Sequence, residues 1–110
     1  MPELVPPALI EHVAERFRIL GDATRLSILQ ALRQRGELNV SEICEALDAS
    51  QANVSKHLRT LADAGIVRRR REGTAAYYRI VDPSIARLCD VVCTRLAAQA
   101  REEARVFSMA

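Results

Sequence analysis

The 110-residue sequence contains no tryptophan, only four aromatic side chains and only three cysteines. A small, odd number of cysteines does not suit a disulfide framework, so we expect free thiols. No apolar run approaches the ~20 residues that a membrane-spanning helix needs. The N-terminus also lacks the basic and apolar regions of a signal peptide. These absences predict a cytoplasmic protein with no membrane partner.

The patterns expected of an enzyme are missing as well. No motif pairs a nucleophile with a base, no glycine-rich loop could hold a phosphate, and no carboxylate dyad is present. We therefore predict that the protein is not an enzyme. The chain also has no internal repeat and no low-complexity segment, so its length predicts a single domain over residues 1–110.

Positive charge is concentrated in one part of a chain whose formal net charge is only +2. Between Lys56 and Arg79, seven basic residues stand against two acidic ones, which gives this segment +5 and leaves −3 for the remainder. A basic segment between acidic flanks favours a polyanionic partner that binds one face of the protein. A basic face that is merely solvated is the alternative.

The basic segment begins within a helix predicted between Ser50 and Gly65. Ser50 can cap its first turn, and Gly65 can supply the positive φ that often ends a helix. Val54, Leu58 and Leu61 recur at helical spacing and should face a core, which leaves a polar and basic face outward. Such a helix fits the major groove of DNA. The predicted DNA contacts are Ser50, Gln51, Asn53, Ser55, Lys56, His57 and Arg59. His57 lies only about 60° from the apolar stripe, so packing at the domain edge is its alternative role.

A β-hairpin is predicted directly after this helix. Two β-prone runs, 66–71 and 75–80, flank a turn that contains Gly73. Four consecutive arginines in a strand cannot all face a core, because successive side chains alternate. We predict that Arg69 and Arg71 contact DNA phosphates. A donor-bearing helix followed by a basic hairpin predicts a mainly α fold with a small β-hairpin wing, the winged helix-turn-helix.

Capping residues and helical apolar spacing predict the remaining helices. Three precede Ser50: one runs from Pro7 to Leu20, one from Asp22 to Gly36, and a short one starts at Asn39. A last helix is predicted from Pro83 to Arg105, with the apolar stripe Ile85, Leu88, Cys89, Val92, Leu96 and Ala100. A small domain has little left to bury so long a helix. We therefore predict a homodimer that forms through the first and last helices.

The chain contains the strings LGDATRL (20–26), ELNVSEIC (37–44), SQANVSKHL (50–58) and EGTAAYYR (72–79). Together these strings resemble the ArsR/SmtB family of bacterial winged-helix repressors. The resemblance implies a homodimer bound to double-stranded operator DNA that overlaps a promoter. It also implies an inducer, usually a soft metal or metalloid, that weakens the binding to DNA.

The sensor residues of that family are only partly present. Arsenic-responsive members often have Cys-x-Cys-x-x-Cys at the start of the third helix, where this chain has Asn39, Ser41 and Cys44. Zinc-sensing members have an Asp/His set on the last helix, and no histidine follows His57 here. The remaining candidates are Cys89 and Cys93, together with Cys44.

Cys89 and Cys93 form an i,i+4 pair on the last predicted helix, with Cβ atoms about 5–6 Å apart. Two thiolates at this spacing can bind one soft ion, whereas a disulfide requires Cβ atoms nearer ~3.8 Å. We predict a soft metal or metalloid inducer at this pair, with arsenic(III) favoured, and no ion required for folding. A third donor would come from Cys44 or from the dimer mate. The alternatives are cysteines that only pack, a redox or reactive-sulfur sensor, and a regulator that a partner protein controls.

Overall fold

Residues 4–109 are described by a computed structural model, so residues 1–3 and 110 of the predicted domain lie outside the described part. The described chain forms five helices and three short strands. In chain order the elements are α1 Pro7–Leu20, α2 Ala23–Arg35, β1 Leu38–Asn39, α3 Val40–Leu47, α4 Gln51–Asp63, β2 Val67–Glu72, β3 Ala75–Ile80 and α5 Ser84–Met109. The predicted mainly α fold with a small β-hairpin wing is confirmed.

Side-chain caps begin three of the helices at the residues that the sequence predicts. Asp22 Oδ1 accepts the backbone N–H of Arg25 (3.0 Å), and Ser50 Oγ accepts a backbone N–H in the first turn of α4 (3.2 Å). At α3, Asn39 and Glu42 form a capping box in which each side chain accepts the other's backbone N–H. These bonds satisfy N–H groups that a helix start leaves without partners, and so fix where α2, α3 and α4 begin.

The three strands form one antiparallel sheet in the order β1-β3-β2. The sequence predicts the hairpin of β2 and β3, which pair along their whole length around Gly73, where φ is 62°. It does not predict β1, whose residues pair as Leu38 with Tyr78 and Asn39 with Tyr77. Two residues are too few to show the alternation that marks a strand, and their partners lie far along the chain.

The core holds α4 from one side. Val54, Leu58 and Leu61 are fully buried, as their spacing predicts. They belong to one apolar cluster with Ile28, Leu29 and Leu32 of α2, Ile43 of α3, Ile66 and Ile85. Burying a Leu, Ile or Val side chain contributes about 1.5–3 kcal/mol, so this cluster decides which side of α4 faces solvent. Leu26 is 41% exposed and does not join the cluster, because the buried side of α2 is centred on Ile28.

The apolar stripe of α5 divides between the core and the surface. Ile85 is fully buried, and Leu88 and Cys89 are half-buried against the core, whereas Val92 and Leu96 are more than half exposed. Exposed apolar side chains also line α1, namely Leu9, Ile10, Val13 and Phe17. Both terminal helices therefore carry apolar surface that the rest of the protomer does not cover.

α5 is longer than the sequence predicts, because it continues past Arg105 to Met109. A bidentate pair between Arg105 and Glu102, with a shorter contact of 2.7 Å, supports this last part of the helix. In the described part of the chain, no helix is both long enough and apolar enough to cross a membrane.

Candidate nucleic-acid interface

α4 presents a polar, basic face on the side opposite its buried stripe. The exposed side chains on it are Gln51, Ser55, Lys56 and Arg59. Asn53 is half-buried at the edge of this face, and Ser50 is exposed while its hydroxyl caps the helix. Arg59 reaches only to 4.0 Å from Asp63, and both side chains are mostly exposed, so the guanidinium remains accessible. Six of the seven predicted contacts on this segment are thus exposed or half-buried.

His57 is the exception, since it lies on the buried side of α4 and is only 7% exposed. Its Nδ1 is 3.2 Å from Nη1 of Arg25. Because a guanidinium can only donate, Nδ1 accepts this hydrogen bond. The predicted DNA contact by His57 is therefore corrected: its place beside the apolar stripe turns the ring into the domain, where it packs.

Arg25, which the sequence does not single out, connects three helices. Its Nε donates to the carbonyl of Ile19 near the end of α1 (2.6 Å), and Nη1 reaches His57 in the middle of α4. Its backbone N–H bonds to Asp22, and this bond is the main reason why the pKa of Asp22 lies below its ordinary value. No local pattern reveals this role, because 32 residues separate Arg25 from His57.

The arginines of β2 divide between the two faces of the wing. Arg69 and Arg71 share the face of the buried Val67, because side chains alternate along a strand, and both are exposed. Within residues 4–109, the ion pairs of the run 68–71 all belong to Arg70. Arg69 and Arg71 therefore form no ion pair within the described residues.

A polar junction joins α1, the end of α4 and the start of α5. Asp82 Oδ1 accepts the backbone N–H (2.9 Å) and the hydroxyl (2.7 Å) of Ser84, and so begins α5. Arg16 of α1 donates to the other oxygen of Asp82 and to the carbonyl of Ala64 at 3.0 Å. The bonds from Ser84, and then the guanidinium of Arg16, hold the pKa of Asp82 below its ordinary value. Arg16 thereby bridges the start of α5 and the end of α4.

The three cysteines are free thiols in different settings. Cys44 of α3 and Cys89 of α5 are half-buried against the core, and Cys93 is exposed one turn after Cys89. Arg33 of α2 donates to Asp90 at 3.0 Å. Hydrogen bonding to Asp90 raises the pKa of Arg33.

Cys44 does not complete a three-donor site with Cys89 and Cys93 inside one protomer. Among residues 4–109, no three His, Cys, Asp or Glu side chains come together in a way that could hold a metal ion. Cys44 packs against the core instead. The prediction of Cys44 as a third donor from the same chain is corrected accordingly.

Comparison with known proteins identifies the family. Residues 22–69, from the cap of α2 into the wing, match the model of bacterial regulatory proteins of the arsR family. The arsenical resistance operon repressor of Escherichia coli (strain K12) is 44% identical over 64 residues, which cover 58% of this chain and 55% of that repressor. This chain thus spans about half the length of that relative. The crystal structure of AntR, an antimony-specific transcriptional repressor, has a TM-score of 0.79 and 34% identity, with 90% of each chain covered. The chain belongs to the arsR family.

A second solved structure bears on the assembly of this arsR-family chain. It is the homodimeric winged helix-turn-helix DNA-binding domain of a possible ArsR-family regulator from Mycobacterium bovis. The TM-score is 0.72 and the identity 35%, and the match covers 88% of this chain and 91% of that domain. These likenesses confirm both the resemblance seen in the sequence and the winged helix-turn-helix fold.

The arsR-family model ends at residue 69, before β3 and α5. It therefore covers the helix-turn-helix and includes Cys44, whereas Cys89 and Cys93 lie outside the matched segment. The match supports the DNA-binding elements of the chain. It does not include the thiol pair of α5.

Proposed function

We propose that this arsR-family protein is a homodimeric, DNA-binding transcriptional repressor that a soft metal or metalloid releases from its operator. One observation carries the DNA-binding part: the buried stripe of α4 turns exposed polar and basic side chains outward, and the wing that follows α4 along the chain carries exposed arginines. An α-helix of this kind enters the major groove, and a basic hairpin next to it can contact the phosphate backbone.

The roles within this interface follow from position. Gln51, Asn53 and Ser55 lie in the first half of α4 and can form hydrogen bonds to base edges. Lys56 and Arg59 can contact either bases or phosphates, and Ser50 lies at the helix start, where phosphate binding is common. Arg69 and Arg71 supply phosphate contacts from the wing.

The homodimer is proposed from the apolar surface of the terminal helices. Val92 and Leu96 of α5, and Val13 and Phe17 of α1, are exposed in the protomer, and such surface is covered most simply by a second copy. The homodimeric domain of a possible ArsR-family regulator from Mycobacterium bovis supports a homodimer. A dimer would present two α4 helices to successive major grooves, about 34–36 Å apart.

The inducer site is proposed at Cys89 and Cys93. Their i,i+4 spacing allows two thiolates to bind one soft ion, and Cys93 is open to solvent. Arsenite or antimonite is the favoured inducer, a choice supported by the names of the arsenical and antimony-specific repressors that the chain resembles. A third donor would come from the dimer mate, since one protomer does not bring three donors together in its described residues.

A second candidate function keeps the same DNA interface but makes the thiols a redox or reactive-sulfur sensor. The solvent-exposed sulfur of Cys93 favours it, because oxidants reach exposed thiols first. A bond between Cys89 and Cys93 would strain the helix, so the oxidised link would join two helices or two protomers. Titration with arsenite under strictly reducing conditions separates the two functions.

Replacing Arg69 and Arg71 together by Ala should weaken binding to all DNA sequences alike. Each lost phosphate contact should flatten the log–log dependence of affinity on salt concentration by about 1. Affinity measured across a salt series, on a selected operator and on random DNA, checks this. The control removes Arg87 and Arg101, two exposed charges of α5, and should leave the slope unchanged. An unchanged slope in the wing variant would mean that these arginines do not reach the backbone.

Replacing Gln51 or Ser55 by Ala should instead affect sequence preference. If the side chain contacts a base edge, each change should cost ~1–3 kcal/mol on the operator and little on random DNA. The operator can be selected from random-sequence DNA with the unmodified protein. Equal losses on both kinds of DNA would assign these side chains to phosphates.

A further inference from the structure

Arg70 differs from its three arginine neighbours on β2 because its side chain is fully engaged within the protein. Nε and Nη2 donate to the two carboxylate oxygens of Glu37, at 3.3 and 2.7 Å. Nη1 donates to Glu72 at 2.8 Å. The guanidinium carbon also lies 4.9 Å from the ring centroid of Tyr77, within the range of a cation–π contact. One side chain thus contacts three others: Glu72 on its own strand, Tyr77 on the neighbouring strand and Glu37 just before β1.

Through Glu37, these contacts link the wing to the start of the helix-turn-helix. Glu37 immediately precedes β1, and β1 leads through the capping residue Asn39 into α3, the first helix of the helix-turn-helix. In the sheet, Tyr77 of β3 lies between Asn39 of β1 and Arg70 of β2. Arg70 therefore ties the outer strand of the wing to the segment that enters the DNA-binding helices.

The tie, which is the contact between Arg70 and Glu37, supplements the short backbone pairing of β1 with β3. β1 pairs with β3 over only two residues, which leaves few hydrogen bonds to hold the wing at a fixed angle to α3 and α4. A planar guanidinium that grips both oxygens of a carboxylate fixes orientation as well as distance. Arg70 is 46% exposed and Glu37 32%, so solvent weakens this pair, but its fork geometry and network distinguish it from an ordinary surface ion pair.

The same contacts make Arg70 a poor ligand for phosphate. Glu37 first, and then Glu72, raise the pKa of Arg70, because two carboxylates stabilise its positive charge. A phosphate that recruited Arg70 would have to displace them. Among the arginines of this run, Arg69 and Arg71 do not face that competition within the described residues.

We propose that Arg70 is a positioning residue that holds the wing at the angle at which Arg69 and Arg71 meet DNA phosphates while α4 occupies the major groove. This inference rests on the proposed DNA binding. If the tie is lost, the wing must be ordered at the moment of binding, and that ordering reduces affinity. The residue acts through its neighbours and does not itself touch DNA.

The direction in which DNA affinity changes when Glu37 loses its charge tests the proposal. Glu37→Gln removes a negative charge and frees Arg70, so a simple gain of positive charge would tighten DNA binding. Loss of the tie should instead weaken operator binding by about five- to tenfold. Glu72→Gln is the matched control, because it removes the same charge from the same arginine within the hairpin and leaves Glu37 in place. Its affinity should be unchanged or slightly higher. Equal or tighter binding by Glu37→Gln would overturn the proposal.

Two further variants separate geometry from charge. Arg70→Lys keeps the charge but loses the planar fork, so it should bind the operator as weakly as Glu37→Gln. The charge-exchanged variant Glu37→Arg/Arg70→Glu, made together with Glu72→Gln so that Glu72 does not repel the new carboxylate, should recover part of the affinity. Full affinity in Arg70→Lys, or no recovery in the exchanged variant, would contradict a positioning role.

A measurement without DNA keeps this inference distinct from the proposed function. Amide hydrogen exchange in β3 should be faster in Glu37→Gln than in Glu72→Gln if the tie restrains the wing. Unchanged exchange in β3 would refute the tie even if DNA binding were altered. If the unmodified protein binds no selected DNA, the proposed function fails, whereas faster exchange in Glu37→Gln would still support the tie.

Discussion

Leu96→Asp is expected to abolish operator binding while leaving the protomer folded. Leu96 is 58% exposed in the protomer, so a carboxylate at this position disturbs the monomer little. In the proposed dimer it would be buried next to its symmetry mate, where an unpaired charge costs several kcal/mol. A monomer presents only one α4, and the loss of the second half-site removes most of the affinity.

Sedimentation, circular dichroism and operator binding together check this expectation. Leu96→Asp should sediment as a helical monomer that no longer shifts the operator. Thr94→Asp is the control, because Thr94 is exposed on the opposite side of α5, and it should remain a dimer with normal binding. An intact dimer in the Leu96 variant would mean that the subunits meet elsewhere.

The elements that local chemistry determines are those that the sequence predicts correctly. The start of α4 is set by Ser50, and its buried side by the spacing of Val54, Leu58 and Leu61. These signals lie within one or two helical turns, so no distant partner is needed to interpret them. The wing hairpin is predicted for the same reason, from two β-prone runs around Gly73.

Contacts between distant segments account for what the sequence does not reveal. Arg70 and Glu37 are 33 residues apart, and β1 is recognisable only once β3 lies beside it. Helical periodicity predicts where His57 lies around the axis of α4. Whether that side of the helix is buried depends on the neighbouring helices. Arg25 and the core occupy that sector, and so the histidine packs instead of facing DNA.

The apolar stripe of α5 shows a related limit on what a hydrophobic pattern in the sequence can predict. Ile85 and Leu96 belong to one continuous pattern, yet the first is fully buried in the protomer and the second is mostly exposed. A hydrophobic pattern indicates that a face will be covered, and it does not distinguish the protein's own core from a second copy. In the structure the first end of the stripe lies in the core and the second remains exposed, available for the proposed interface.

The position of the thiols on α5 suggests how an inducer could act. Asp90 lies between Cys89 and Cys93 and is held by Arg33 of α2. At the start of the same helix, Asp82 and Arg16 connect α5 to the end of α4. A soft ion that draws the two thiolates together would therefore shift a helix that is tied both to the core and to the DNA-binding helix.

Cys89→Ser/Cys93→Ser is accordingly expected to bind the operator with near-normal affinity but to resist release by arsenite, antimonite or any soft metal. The ion acts only by binding the DNA-incompetent arrangement better than the competent one, and a tenfold loss of DNA affinity requires ~1.4 kcal/mol of such coupling. Serine keeps the size and removes the soft ligand, so the coupling should fall to zero. Operator binding under reducing conditions, titrated with each ion, measures it.

Cys44→Ser is the matched control, since it removes one thiol that packs against the core and leaves the pair on α5 intact. It should retain most of the response, because within residues 4–109 Cys44 joins no three-donor cluster. A full loss in Cys44→Ser would make Cys44 a ligand across the dimer, and release of the double variant by arsenite would place the sensor outside α5. Release of the unmodified protein only after oxidation, and not by arsenite with thiols reduced, would favour the redox function, because a soft ion binds reduced thiolates without any electron transfer.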